Sequence, residues 1–578
     1  MASTLVGFLG LAFLSHSQQP PTPPLTIPEA VGQIVIVDAR VIDSKGRPVT
    51  DLRQEDFELS EDTKRVPIVA FRSPSVEMKD LGSEARDTGT SAVPPLKAEG
   101  EPFTVAIYVD RWLLSPPGRK RALDQAASLA AAHIAQGAQV LVIGDEKGLR
   151  ALTPLTRDAE AVRAALTHMQ GWATASPGVI EGRQVQDNIK AVIELAESSR
   201  ACPDRPPCLC VLPQLVSMVR SYASARAAEV RGAGDRLSFL VNALGSLPGL
   251  KALIFVSDGL EQRPGIHLYD QIGSICPEAL HREFSTITSA MQEFETSPPL
   301  REAAARANAA RVTLYPIDAR GLTGFSAGDI SQADRRYVPT PRNDSIKDAN
   351  LVNPLELLAE ETGGFAILRG PDPPSVMKRF DADERGHYVL GFTPGDPDGQ
   401  VHALQVKLTP AAASRVKAGI RHRMSYRRAV LPDRRGQRAL ATMIFGLEEN
   451  SLGVEAEVER TSATTAQVRV VLLLSSLKEA PGKGEAHLKL VVSFRTAGDE
   501  KAPPMVRETS VTLPMGAAEL EKEGGLRELI VDVPLGGGGF DFVIGVEDVS
   551  SGRSTYLKRA VSPEETGETL HSVAKPRS

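Results

Sequence analysis

Four short apolar runs in this chain each stop at an aspartate: Phe103 to Val109 before Asp110, Val140 to Gly144 before Asp145, Leu253 to Ser257 before Asp258, and Val312 to Ile317 before Asp318. Runs of this length, rich in Val, Ile and Leu and separated by helix-like stretches, read as parallel strands buried on both faces of a doubly wound α/β sheet. Such sheets bind ligands in the crevice beyond the carboxyl ends of their strands, which is where these four carboxylates gather. An aspartate after a strand also opens a turn or caps the next helix, and that reading stands beside the functional one.

At 578 residues the chain is too long for one core and reads as three or four domains. Its 66 basic and 72 acidic side chains, with no long basic run, argue against nucleic acid as a partner. Leu5 to Leu14 form an apolar stretch of signal-peptide length, about half of what a membrane span needs. Residues 1–19 therefore read as a signal peptide and 20–32 as a Pro- and Gln-rich linker. The chain is expected to be secreted or held in the periplasm or cell envelope, with no integral membrane span after signal removal. The cysteines are Cys202, Cys208, Cys210 and Cys276. An even number in an exported chain reads as two disulfides, with Cys208 and Cys210 bonded elsewhere than to each other and Cys276 taking one of the other three. The Cys-x5-Cys-x-Cys spacing does not suit zinc, and there is no redox Cys-x-x-Cys.

Residues 33–72 read as an amino-terminal β unit and 73–101 as a linker. The α/β domain then spans 102–385, with an insertion over 171–236 that carries three of the cysteines. Leu123, Ala126, Ala130 and Ile134 mark an amphipathic helix over Pro117 to Gln136, and Asp158 opens a second helix. On the first of these, His133 reads as a packed residue. A helix from Pro354 to Thr362 and a strand from Gly364 to Leu368 are expected to close the domain. From 386 to 430 the apolar period becomes two, which is antiparallel β; this segment and the amino-terminal unit are each too small to bury a core and are expected to pair. Residues 439–562 read as an immunoglobulin- or fibronectin-like β-sandwich, followed by a tail over 563–578. Within the sandwich, Gly536 to Gly539 reads as a flexible hairpin turn, since no Lys-Ser/Thr follows to make a phosphate loop.

Phe103 to Asp110, the segment Leu247 to Gly259 ending in Ser257-Asp258-Gly259, and Tyr315-Pro316-Ile317-Asp318 together resemble a von Willebrand factor type A (VWA) domain. With Val41 to Leu52, Glu55-Asp56-Phe57, Tyr388 to Pro394 and Arg421 to Tyr426, the stretch from 33 to 430 resembles the VWA-related family common in acidobacterial genomes. The resemblance implies a Mg²⁺ site at the carboxyl edge of the sheet, built from Asp-x-Ser-x-Ser, a threonine and a further aspartate, and completed by a partner's carboxylate. Here the positions are Asp110, Trp112, Leu114, Ser115 and Asp258. Trp112 and Leu114 stand where the family has its serines, and neither offers an oxygen ligand. No threonine is assigned to the remaining place. Mg²⁺ is therefore disfavoured, with Asp110 and Asp258 the only weak candidate ligands, and Arg111 is the candidate to replace the ion's charge by pairing with a nearby carboxylate.

The expected function is that of an exported, non-enzymatic adhesion module binding a protein partner, its metal-ion-dependent adhesion site degenerate. A metal-dependent hydrolase using Asp110 and Asp258 is the second reading. It lacks an acidic residue two positions after Asp110, and Gly-x-Ser-x-Gly, His-Glu-x-x-His and Gly-x-x-x-x-Gly-Lys are all missing from the chain. A scaffold within an envelope or secretion assembly is the third.

Overall fold

The structure is a computed structural model. It describes residues 34–562 other than 75–102, 115, 146–148, 173–176, 200–205, 248, 278–287, 290, 322–340, 371–372, 396–397, 428–433, 463, 479–483, 498–503 and 516–524. The proposed signal peptide, linker, tail, Ser115 and Cys202 lie outside the described residues.

Strand Phe103–Val109 lies in the middle of a five-stranded sheet, parallel to Gln139–Asp145 on one side and to Leu250–Ser257 on the other. Val312–Asp318 continues the parallel sheet beyond Leu250–Ser257, and the short strand Leu149–Ala151 closes the opposite edge antiparallel to Gln139–Asp145. Alternate side chains feed two cores, which is why the runs are apolar throughout. Val105, Ile107, Ile254 and Val256 pack with Leu123 of helix Pro116–Ala135 and Val162 of helix Ala159–Gln170. On the other face, Ala106, Tyr108, Leu253 and Phe255 pack with Leu237 and Leu240 of helix Pro207–Leu244. His133 is fully buried between the rings of Phe103 and Phe380.

Three elements depart from the sequence reading. The insertion over 171–236 is not a separate excursion: its helix Pro207–Leu244 runs on for 38 residues, and its carboxyl half covers the central sheet. The helix expected from Pro354 to Thr362 begins much earlier, as Pro341–Glu361, with Pro354 inside it. A proline leaves the carbonyl four residues back without its helical donor, and here the Asn350 carbonyl accepts from the Gln262 amide at 3.0 Å instead. Residues Arg434–Phe445 form a helix rather than the start of the carboxyl-terminal β region. Its Ala441, Ile444 and Phe445 enter the central core, while Ala439 and Met443 pack on Val491, Val543 and Tyr556.

Segments from both sides of the α/β domain build one antiparallel β module. Val35–Asp43 pairs with His387–Phe392 and Ala418–His422, while Val401–Leu408 pairs with Phe57–Glu61 and Ser425–Arg427. Val37, Leu59, Tyr388 and Leu404 belong to its single core. Toward the carboxyl terminus, a five-stranded and a three-stranded antiparallel sheet share another core that includes Val468, Leu490 and Phe542. Gly536 to Gly539 joins Leu526–Pro534 of the smaller sheet to Phe540–Asp548 of the larger one, so it is a crossover between sheets and not a hairpin turn.

Cys208, in the first turn of the long helix, is disulfide-bonded to Cys276, with Cα atoms 5.8 Å apart across 68 residues of sequence. Closing a loop of that size is worth about 4 kcal/mol in the chain-entropy account. Cys210 is disulfide-bonded as well. Among the described residues no helix is long and apolar enough to cross a membrane.

His267 is buried in helix Ile266–Ile275, edge-on to Tyr222, and burial pushes its imidazole down to about 4. Burial also lowers His422. Both are held neutral in the fold but take up a proton near the usual 6.5 when unfolded, so stability is lost as the pH falls from about 6.5 toward 4. Urea unfolding across that range is expected to show His267 contributing on the order of 3 kcal/mol to the loss. His267→Phe should flatten the slope by about that amount.

Candidate functional site

The chain runs from the central strand outward to Gln139–Asp145 and returns on the other side at Leu250–Ser257, so the sheet's topological switch point lies beside Phe103–Val109. Asp110 and Asp258 flank that point at the strands' carboxyl ends. Asp110 is fully buried and caps the short turn Arg111–Leu113, its Oδ1 accepting from the Trp112 amide at 3.0 Å. Its Oδ2 accepts from Nη2 of Arg236 at 2.6 Å. The same guanidinium reaches Asp145 with Nε 3.1 Å from Oδ2, and donates from Nε to the Tyr108 hydroxyl at 3.2 Å. One arginine from the long helix therefore bridges two of the four strand-end carboxylates. Burial alone would lower the Arg236 guanidinium, but Tyr108, Asp110 and Asp145 hold it above its ordinary value. Burial, reinforced by Asp110 and Asp145, raises the Tyr108 hydroxyl well above its usual range, so the tyrosine stays neutral.

The other two strand ends follow the same logic. Asp318 receives both Nε and Nη2 of Arg320 at 3.0 Å, and Nη1 of Arg320 lies 3.1 Å from Asp348. Asp258 is buried; its backbone amide donates to the Leu113 carbonyl at 2.7 Å, and its charge acts on Arg119 and Arg320. Arg119 itself donates to the carbonyls of Trp172 and Gln170. The Asp258 turn needs the glycine that follows it: Gly259 has φ +104°, and a Cβ there would lie 2.7 Å from the Leu351 carbonyl oxygen.

Arg111 does not take the place proposed for it from the sequence. Its guanidinium lies over the Trp112 ring, 4.7 Å from the centroid, and the cation on Asp110 is Arg236. The turn that Asp110 caps sends the adjacent side chain away, while the distant helix brings an arginine in. Leu114 is buried and Trp112 half-buried, so no hydroxyl stands at either position. Among the described residues no group of three or more His, Cys, Asp or Glu side chains is placed to hold a metal ion. A near-octahedral Mg²⁺ needs an all-oxygen shell, and the carboxylate that would anchor it has both oxygens engaged by Arg236 and the Trp112 amide.

Arg236, Arg320 and Arg119 were not singled out from the sequence. The available signal was electrostatic: carboxylates buried at strand ends require counter-charges, and Arg320 lies two residues after Asp318.

No family model matches the chain, and no curated protein matches it. Among solved structures, the chain is similar to the three N-terminal domains of a type V pili tip protein from Porphyromonas gingivalis, with 10% identity, 80% of this chain and 70% of that one covered, and a TM-score of 0.22. It is also similar to a von Willebrand factor type A protein from Catenulispora acidiphila, with 10% identity, 92% and 74% covered, and a TM-score of 0.19. Overlaps this loose assign neither a family nor a function.

Removing one partner of a buried ion pair leaves the others uncompensated. Arg236→Met is expected to cost about 3 kcal/mol in urea unfolding. Arg236→Lys should recover less than half of that, because a single ammonium lacks the fork that spans Asp110 and Asp145.

Proposed function

We propose that this chain is an exported, non-enzymatic protein-binding module of adhesion type, whose VWA-like α/β domain meets its partner with the loops at the carboxyl edge of the sheet. The observation that carries the reading is Arg236, whose guanidinium sits against Asp110 and Asp145 where the resembled family uses a divalent ion. The adhesion site is in this reading degenerate, and recognition is independent of metal. The stacked pair of Arg111 and Trp112 beside it combines the two side-chain types most often found at the energetic centre of protein interfaces. The β module and a carboxyl-terminal immunoglobulin-like sandwich act as spacers or additional contacts. The Cys208–Cys276 disulfide is compatible with an extracellular or envelope location.

Hydrolysis by Asp110 and Asp258 with a metal is the weaker reading, because Asp110 would have to give up Arg236 before taking part.

The test is capture of partners from the medium and envelope of the source cells by the purified full chain, followed by direct binding to the captured protein. Trp112→Ala is expected to weaken binding by tenfold or more, with chelation of divalent ions changing nothing. Undiminished binding by Trp112→Ala, binding abolished by chelation, or turnover in a phosphatase and esterase screen with Mn²⁺ would each contradict the proposal.

A further inference from the structure

The two carboxyl-terminal sheets do not cover each other completely. In the smaller one, Glu455–Ser462 pairs with Thr465–Leu473, which pairs in turn with Leu526–Pro534. Glu455–Ser462 lies over Ser554–Val561 of the larger sheet, where Nε of Arg559 donates to the Ala456 carbonyl at 2.8 Å. Leu526–Pro534 therefore falls on the other side, toward Glu485–Thr496 and the edge strand Met505–Pro514. That edge strand turns its odd-numbered residues inward, since Leu513 and Val511 pack on the shared core. Farther along the same face Thr509, Arg507 and Met505 are exposed, Met505 by 58%. They stand beside the core residues Leu490, Val492 and Phe494, but the smaller sheet ends before it reaches them.

The strand that ends the smaller sheet has an open edge. The Leu535 amide donates to the Thr464 carbonyl at 2.8 Å, in the register that pairs Pro534 with Thr465. Bonded positions alternate along an antiparallel ladder, so Leu529, Val531 and Val533 turn their backbone groups toward Thr465–Leu473, while Glu528, Ile530 and Asp532 turn theirs outward. Pro534 fits this phase, because its missing N–H falls on the outward side. Among the described residues no strand pairs there. Ile530, in the middle of the edge, is 52% exposed, and Leu529 and Val531 on the inner face are only partly buried. Gly536 to Gly539 leads from Pro534 to Phe540, which pairs with Thr496, so the Asp532 end of this edge lies at the Met505 end of the larger sheet. An unpaired strand edge of this length is a template for another chain.

Charge selects what can pair with it. The outward side chains beside Ile530 are Glu528, 3.0 Å from Arg469, and Asp532, 3.3 Å from the Gln467 amide. Exposed Glu455, Glu457 and Glu459 continue the same face, which is predominantly acidic. Pairing with the same edge of a second copy would crowd Glu528 and Asp532 of one chain against those of the other, and like charges facing each other across strands are unfavourable. We infer that this edge accepts an added strand from a protein partner, an extended segment whose residues alternate apolar and basic. The segment pairs with the outward backbone groups of Glu528, Ile530 and Asp532. Its basic residues meet the two carboxylates, and its apolar residues turn inward over Leu529 and Val531 toward the uncovered Met505.

The experiment is calorimetric titration of the full chain with two synthetic peptides, one of four Val-Lys repeats and one of four Val-Glu repeats. Saturable micromolar binding of the Val-Lys peptide is expected, with the Val-Glu peptide weaker by tenfold or more. Ile530→Pro removes only an outward N–H and should weaken Val-Lys binding by at least tenfold. If that variant does not fold, Glu528→Lys combined with Asp532→Lys keeps the edge and should reverse the preference between the peptides. Absence of saturable Val-Lys binding, equal binding of the two peptides, or a preference unchanged by the charge reversal would overturn the inference. Undiminished binding by folded Ile530→Pro would do the same, as would a concentration-dependent dimer in sedimentation that Ile530→Pro abolishes, since the occupant would then be a second copy.

Discussion

Burial of Asp110 at the tip of the central strand creates an electrostatic demand that the surrounding fold has to meet, because an ionised carboxylate removed from water is tolerated only when paired. Arg236 meets it and extends the same guanidinium to Asp145. The helix that carries Arg236 is fixed to the α/β domain at three heights. Cys208 is bonded to Cys276 near its start, Tyr222 and Arg226 engage Glu261 along its middle, and Arg236 meets the strand tips toward its end. All three attachments fall on strand tips or on the segment after Leu250–Ser257. Glu261 in turn accepts from the Gly265 amide, so the loop holding Asp258 is ordered from the same helix. The carboxyl edge is thereby held in place by side chains of the chain itself.

The same principle organises the opposite end of the sheet. Strands contributed by residues far before and far after the α/β domain meet in one module, and arginines fasten that module to the base of the domain: Arg311 to Asp38, Arg423 to the Asn308 carbonyl, Arg421 to the Gly364 carbonyl. Helix Arg434–Phe445 makes the corresponding joint on the carboxyl-terminal side, though with apolar contacts, since it contributes side chains to two cores at once. Guanidinium contacts at one seam, and at the other apolar packing joined by the ion pairs of Arg435 with Glu508 and Glu547, leave the central sheet as the piece to which both β regions attach.

What the sequence made legible follows from which contacts are local. The central strands are readable because burial on both faces leaves uninterrupted apolar runs, and Val401–Leu408 is readable because its buried and exposed residues alternate strictly. Helix Pro341–Glu361 was obscured by its polar first half and by a proline whose cost is offset by a contact from residue 262. Helix Arg434–Phe445 was obscured because its buried residues are nearly consecutive and its apolar stripe faces two partners. At the candidate site, the positions lacking hydroxyls could be read directly, but the cation could not. Arg236 lies 126 residues from Asp110, and nothing in local spacing selects it over the adjacent Arg111.

The central claim is that the Arg236 guanidinium meets the charge of the buried strand-end carboxylates Asp110 and Asp145, and we propose that no divalent ion is needed there. Calorimetric titration of the full chain with Mg²⁺ and Mn²⁺ tests it most directly. The expected result is no saturable heat at millimolar ion, whereas micromolar binding that disappears in Asp110→Ala would contradict the account.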